Sequence, residues 1–177
     1  AIGVEREVAS APTLCRLENW ADKRTAWQLH QVLVDQFIAS FKEVPQELVL
    51  DFDATDNPLH GQQEGRFFHG YYDTHCYLPL YCFCGDIPLW AQLRTADRDG
   101  SDGTLAALQK IIPAIRERFG KHTAILVRGD SGFCRRRLMN WCERSGVHYV
   151  IGLARNARLE AQVQYAQLTL EDEYRAT

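Results

Sequence analysis

The sequence predicts an α/β chain: a mixed five-stranded sheet in the order β-β-β-α-β-α-β, preceded by an N-terminal helical segment. Three observations predict it. Alternating apolar positions at 48–53 and 72–92 are interrupted by a Gly-Asp turn, as strands that double back require. Leu105, Leu108, Ile112, Ile115 and Phe119 then recur at three- and four-residue steps, the stripe of an amphipathic helix. Two short apolar runs, "TAILVR" (123–128) and "HYVIGL" (148–153), each follow a helix-length segment, as crossover-linked parallel strands do.

Taken in order, residues 12–41 read as helical, with Leu29, Leu33 and Phe37 at four-residue steps and Thr25 expected to cap the start. Pro45 ends that region and Leu48–Asp53 follows as a strand. Leu48, Leu50 and Phe52 share one face of it, and Val49, Asp51 and Asp53 the other. "NPLHGQQEGRFFHG" (57–70) reads as a polar, glycine-rich loop. In "YYDTHCYLPLYCFC" (71–84), Tyr72, Thr74, Cys76, Leu78, Leu80, Cys82 and Cys84 share a face, although Pro79 signals a bulge or an edge. Gly85-Asp86 turns the chain and "IPLWAQLR" returns as a third strand. Pro113 predicts a kink within helix 104–119. The all-apolar "TAILVR" fits a strand covered on both faces. Ser131 is expected to cap a helix running through Arg144 and closed by Gly146. From Ala157 a tail carries Leu159, Val163, Ala166 and Leu170 at helical steps. Right-handed crossovers place the fourth strand beside the first, on the side away from the hairpin, an order compatible with a ribonuclease-H-like fold. The organisation expected is a helical segment over 1–45, a core over 46–155, and the start of a further segment over 156–177.

Composition excludes several classes of function. Of the 177 residues, 46% are apolar and 24% charged, and no run of about 18 apolar residues exists to span a membrane. The start "AIGVEREVAS" lacks the basic-then-apolar pattern of a signal peptide, and beginning on Ala suggests a piece of a longer chain. A net charge of −3 argues against a general nucleic-acid coat but leaves room for a local basic stripe. The six cysteines form no CxxC pair and read as free core thiols of a reducing cytoplasm. His75, Cys82 and Cys84 lack the spacing of zinc ligands. Trp20, Trp27, Trp90 and Trp141 read as core anchors rather than base-stacking platforms, and His60 and His69, which flank the loop, as turn or core residues with transient substrate contact as the alternative.

The acids carry the chemistry. Asp53 ends the first strand and Asp130 follows the fourth. If these strands are neighbours, about 4.8 Å apart, their carboxylates face one site. Two carboxylates held that close are stable chiefly with a cation between them, and a hard ion with few protein ligands is Mg²⁺. Paired ions of that kind serve in-line displacement at phosphorus. Asp51 points the same way one pleat deeper, so Asp53 is the expected first ligand and Asp51 a hydrogen-bonded support or weaker candidate. The alternative is that strand-end aspartates only cap turns.

The blocks "LDFDATDNPLHGQQEGRFFHGYYDTHCYLPLY", "LVRGDSGFC" and "WCERSGVHYVIGLARNARL" resemble the catalytic-domain blocks of bacterial insertion-sequence DDE transposases, over roughly Pro12 to Leu159. The resemblance implies that Asp53 and Asp130 are the first two acids of a metal-binding triad using Mg²⁺ or Mn²⁺. It also implies that DNA (transposon ends and target) is the partner, that the synaptic complex is a homo-oligomer, and that the protein works in the cytoplasm at the nucleoid. The family's third acid is a Glu on a downstream helix. Glu160, Glu171, Asp172 and Glu173 do not stand in its Tyr-Arg-Glu context, so the third acid is expected to be missing and the chain to be an incomplete catalytic core. Arg135, Arg136 and Arg137, at a helix start that prefers anions, point to a phosphate backbone as their partner, with Arg66 and Arg128 as weaker DNA-binding candidates. A solvated face with acidic neighbours is the alternative.

Three other readings compete. One is an inactive remnant that binds DNA or a partner subunit, and another a two-metal nuclease that cleaves without joining. The third is a phosphatase, because D-x-D-x-T after an apolar strand also resembles the first motif of haloacid-dehalogenase-type phosphatases, with Asp51 as nucleophile.

Overall fold

Two helices open the structure, a computed structural model that describes residues 9–176. The first eight residues of the expected 1–45 segment, and Thr177, lie outside the described residues. The single helical stretch expected over 12–41 is divided into α1 (Ala11–Trp20) and α2 (Lys23–Ala39) by Ala21, whose backbone is extended. Asp22, not Thr25, caps α2: its Oδ1 accepts from Thr25 N at 2.7 Å and from Thr25 Oγ1 at 2.9 Å. The buried stripe of α2 is His30, Val34 and Phe37, while Leu29 faces solvent. The helix is turned because His30 finds a polar partner: its Nε2 donates to Ala91 O at 2.9 Å, and its ring stacks 3.7 Å from that of Trp90. A buried imidazole so bonded avoids most of the cost of losing water.

The strands are β1 (Glu47–Ala54), β2 (Asn57–Pro58), β3 (Phe67–His69), β4 (Thr74–Tyr77), β5 (Leu80–Cys84) and β6 (Ile87–Gln92). Helix α3 (Thr104–Phe119), β7 (Ala124–Gly129), α4 (Arg136–Arg144), β8 (His148–Ile151) and α5 (Ala157–Ala176) complete the order. The main sheet runs β6-β5-β1-β7-β8, with β1 antiparallel to β5 and parallel to β7. The fourth strand of this sheet thus lies beside the first, away from the hairpin, and the arrangement is the mixed five-stranded sheet of ribonuclease-H-like folds.

A second sheet, β2-β4-β3, was not expected. Residues 71–84 do not form one strand: they divide at Leu78-Pro79, where proline offers no N–H to a ladder, and β4 leaves the main sheet to pair with β2 and β3. The supposed loop over 57–70 supplies those two partners.

The core lies on one side of the main sheet. Leu48, Leu50 and Phe52 of β1 and Ile125 and Val127 of β7 are buried with Leu108, Ile111 and Ile115 of α3 and Leu138 and Cys142 of α4. The opposite face is open: Leu126 is half-buried, and Arg128 and Val150 are exposed. The expectation that "TAILVR" is covered on both faces is therefore corrected, because α2, α3 and α4 pack on one face and only alternate residues of the run, Ile125 and Val127, meet them. α3 continues through Pro113 to Phe119. Trp20 and Trp27 are exposed and are not core anchors, whereas Trp90 is buried. Among the cysteines, Cys76, Cys82 and Cys142 are buried, but Cys15 is exposed on α1, a helix with no buried residue.

Candidate active site

The parallel ladder between β1 and β7 places Leu50 beside Val127 and Asp51 beside Arg128. Asp51 and Arg128 project from the same face, since the guanidinium grips both carboxylate oxygens, Nε on Oδ1 and Nη2 on Oδ2 at 2.8 Å. Two residues further along each chain stand Asp53 and Asp130. Asp130 keeps an extended backbone (φ −76°, ψ −171°), so the alternation of the strand carries past the end of β7. Asp53 and Asp130 thus each follow the last pair of the β1–β7 ladder by two residues.

Around Asp130 the chain turns tightly. Its Oδ1 accepts from Gly132 N at 2.8 Å and caps a 3₁₀ turn over Ser131–Phe133. A helix from Ser131 through Arg144 was expected. The chain instead breaks at Cys134, α4 begins at Arg136, and the capping side chain is that of Asp130. A Cβ on Gly132 would lie 2.9 Å from Asp130 Oδ1, so a larger residue there would displace that carboxylate. Gly152, just past β8, packs so closely that a Cβ would sit 2.9 Å from Ser131 N and 3.1 Å from Asp130 C.

A cavity of about 230 Å³ opens beside Asp130, walled by Ala54, His69, Tyr71, Tyr72 and Gly100. The Tyr72 hydroxyl donates to Ala54 O at 3.2 Å. Burial first, and then the carboxylates of Asp56, Asp53 and Asp130, raise its pKa above the ordinary value, so one phenol senses all three acids. His69, whose Nδ1 is buried without a hydrogen-bond partner, lies 4.9 Å ring-to-ring from Tyr72. The sequence offered His69 as a turn or core residue with substrate contact as the alternative, and Tyr72 only as one position of a strand face. Both sit on β3 and the β3–β4 turn, and only the unexpected second sheet brings them to the carboxylates.

Arg94 was missed as well. It is 5% exposed, donates from Nε to Leu78 O at 2.8 Å, and holds the carbonyls of Gly100 and Asp102 through Nη1. Its guanidinium thereby ties the loop from β6 to α3 against the cavity. A buried guanidinium serving carbonyls leaves no periodic signal in sequence.

The basic candidates differ in what they touch. Arg128 is occupied by Asp51, and Arg66 donates to Gly61 O. Arg135 spans both Nε and Nη2 to Asp99 Oδ2, at 3.0 and 2.6 Å. Although burial acts upward on Asp99, the hydrogen bonds from Arg135 and Ser101 hold its pKa below the ordinary value. Arg136 and Arg137 are exposed in the first turn of α4. Asp51, with both oxygens engaged by Arg128, is not placed as a free nucleophile, and a phosphatase reading has no support from it.

The sequence model of the family described as transposase DDE domain group 1 matches residues 1–177. The chain belongs to this family. Transposases of the DDE class use divalent metal ions. Among the described residues of this DDE domain no three His, Cys, Asp or Glu side chains gather around one point. Asp53 and Asp130 both act electrostatically on Tyr72, and carboxylates are the oxygen donors that hard dications take. No curated protein matches the chain. Among solved structures, it is similar to a chain in the crystal structure of the Mos1 Strand Transfer Complex, with 10% identity and a TM-score of 0.34. That similarity covers 93% of this DDE domain and 53% of the other chain, so the DDE domain spans about half the length of that relative. No described helix is long and apolar enough to cross a membrane.

Proposed function

We propose that this chain is the catalytic core of a DNA transposase, which cleaves transposon-end DNA and joins it to a target, with Asp53 and Asp130 as ligands of Mg²⁺ or Mn²⁺. The observation that carries the reading is the parallel β1–β7 register, whose last pair, Asp51 beside Arg128, stands two residues before each acid. The bound ions would neutralise charge on phosphate oxygens and favour formation of an attacking oxygen nucleophile.

The chain's own groups supply position. Asp130 is held by the Gly132 amide through Oδ1, which leaves Oδ2 for a ligand. Arg128 fixes Asp51, so that the neighbouring strand ends keep one register. Tyr72, anchored on Ala54 O, closes one wall of the cavity, and Arg94 holds the loop that closes another. Transfer between phosphodiesters needs little covalent help from protein, and alignment with charge neutralisation accounts for most of the acceleration. Arg66, Arg128, Arg135, Arg136 and Arg137 border the route of the DNA, of which Arg136 and Arg137 carry the least compensated charge. The helical segment 1–45, the core 46–155 and the segment from 156 onward are the units of this reading, and the synaptic complex pairs copies of it.

Two measurements test the proposal. Mn²⁺ binding is followed by electron paramagnetic resonance, and Mg²⁺-dependent nicking of supercoiled plasmid is paired with joining of 3′-hydroxyl oligonucleotides into it. Asp53→Asn and Asp130→Asn should each weaken Mn²⁺ binding and abolish both reactions. Binding that survives in both variants would remove these residues from the mechanism, and nicking without joining would favour a nuclease.

A further inference from the structure

A second cavity, about 560 Å³, lies between the first turns of α3 and α4. The first turn of α3 lines it from Thr104 on, together with the cations Arg98, Arg135 and Arg137 and the carboxylates Asp99 and Asp102. We propose that it is a phosphate-binding subsite, which holds a backbone phosphate of the DNA strand beside the one at Asp53 and Asp130. The inference rests on the transposase reading for the identity of the ligand, but not for the existence of the anion site.

Four features converge on an anion. Helix α3 has Gly103 at its N-cap (φ +86°) and no side chain capping its amides. Thr104 N is used by Ser101 O at 3.1 Å and Ala107 N by Gly103 O at 3.0 Å, so the Leu105 and Ala106 amides between them are the open donors. Helix α4 likewise lacks a capping side chain, and neither helix has an acid in its first turn. Two positive helix ends thus meet one cavity, whose own carboxylates, Asp99 and Asp102, are engaged by Arg135 and Arg98 and cap neither helix.

The charges point the same way. Arg98 is matched by Asp102 at 3.0 Å and Arg135 by Asp99 at 2.6 Å. Arg137 has no carboxylate partner among the described residues. Placing that third cation at two helix N-termini is unfavourable unless an anion completes the set. Thr104, which lines the cavity, is 1% exposed, and its Oγ1 is a buried hydroxyl with no partner. An orphaned hydroxyl is costly in the free protein, and a phosphate oxygen would accept from it.

The position suits a strand already held at the acids. Asp99 and Arg135 wall this cavity, while Gly100 and Ser131 wall the one at Asp130. The two cavities therefore share both connecting segments, and a strand seated at one borders the other.

The test measures binding of a fluorescein-labelled duplex oligonucleotide by anisotropy, without metal, over a series of salt concentrations. Arg137→Gln should weaken binding and lower the slope of log K on log salt by about one. Lys121→Gln, the same charge change at the far end of α3, should leave the slope unaltered. Ala106→Asp supplies the anion covalently: the helix end is satisfied, the melting temperature holds or rises, and DNA binding falls. An unchanged slope in Arg137→Gln, or full DNA binding by a folded Ala106→Asp, overturns the subsite. Thermal shifts with inorganic phosphate separate the source. A shift in the unmodified chain that Arg137→Gln abolishes, with no change in the DNA slope, marks a free-anion site and overturns the DNA assignment. Because metal is absent throughout, the outcome is independent of catalysis. Loss of slope together with failed nicking leaves the subsite standing and removes the transposase reading, whereas nicking with an unchanged slope removes only the subsite.

Discussion

Replacing Gly152 with alanine should damage the site without touching a carboxylate. The added methyl would lie 2.9 Å from Ser131 N, 3.1 Å from Asp130 C and 3.4 Å from Asp130 Cα. All three are backbone atoms, so no side chain can swing aside, and relief requires about half an ångström of movement between the end of β8 and the Asp130 turn. That movement is resisted from both sides: Gly152 N donates to Gly129 O at 3.0 Å, and the Asp130 carboxylate is tied to Gly132 N. Overpacking of this kind costs about 1–3 kcal/mol. For a chain of this size that is a fall of about 2–12 °C in melting temperature. Differential scanning calorimetry measures the stability, and Mn²⁺ binding reports whether Asp130 has moved. Gly70→Ala is the control, because nothing lies within 4 Å of a Cβ there. If Gly152→Ala melts with Gly70→Ala and binds Mn²⁺ as the unmodified chain does, the account of how β8 positions Asp130 is wrong.

Other consequences are as direct. Leu50 is fully buried in the central strand that bears Asp53, so Leu50→Ala should cost about 2–5 kcal/mol by denaturant titration. An effect under about 1 kcal/mol would contradict the one-sided core. Burial, reinforced by Lys110 and opposed by the hydrogen bond to Ala91, lowers the His30 pKa from its ordinary 6.5. The unfolded chain then binds the extra proton first. His30 therefore contributes stability that is fully present above pH 6.5 and is lost as pH falls from there through the folded value. His30→Gln should flatten that part of the profile, and an identical acid dependence in the variant would refute the assignment. Burial pushes the Cys142 thiol up to about 11, and Cys82 is raised well above the usual range for the same reason. Iodoacetamide at neutral pH should label exposed Cys15 well before either, as mass spectrometry would register.

Much of the chain was legible because periodicity is written in neighbouring residues. Helix 104–119, the alternation through Leu48, Leu50 and Phe52, and the hairpin at Gly85-Asp86 each follow from local spacing. So does the order of the main sheet, since crossover handedness leaves few choices. The ends of β1 and β7, where Asp53 and Asp130 stand, were fixed by the same local patterns.

Other features depended on partners distant in sequence. Which stripe of α2 turns inward was decided by a carbonyl on β6, reached by His30 across sixty-one positions. The second sheet forms because β4, cut loose at Pro79, is paired by two short segments with almost no strand signal of their own. Asp51 and Arg128 meet only through strand registry, and Arg94 finds its carbonyls only when the β6–α3 loop folds over it. A sequence records each residue's own preference for helix, strand or burial. The pairing of hydrogen-bond donors and charges with acceptors elsewhere in the chain is settled by tertiary packing, because an unmatched polar group inside a protein costs more than its local preference is worth.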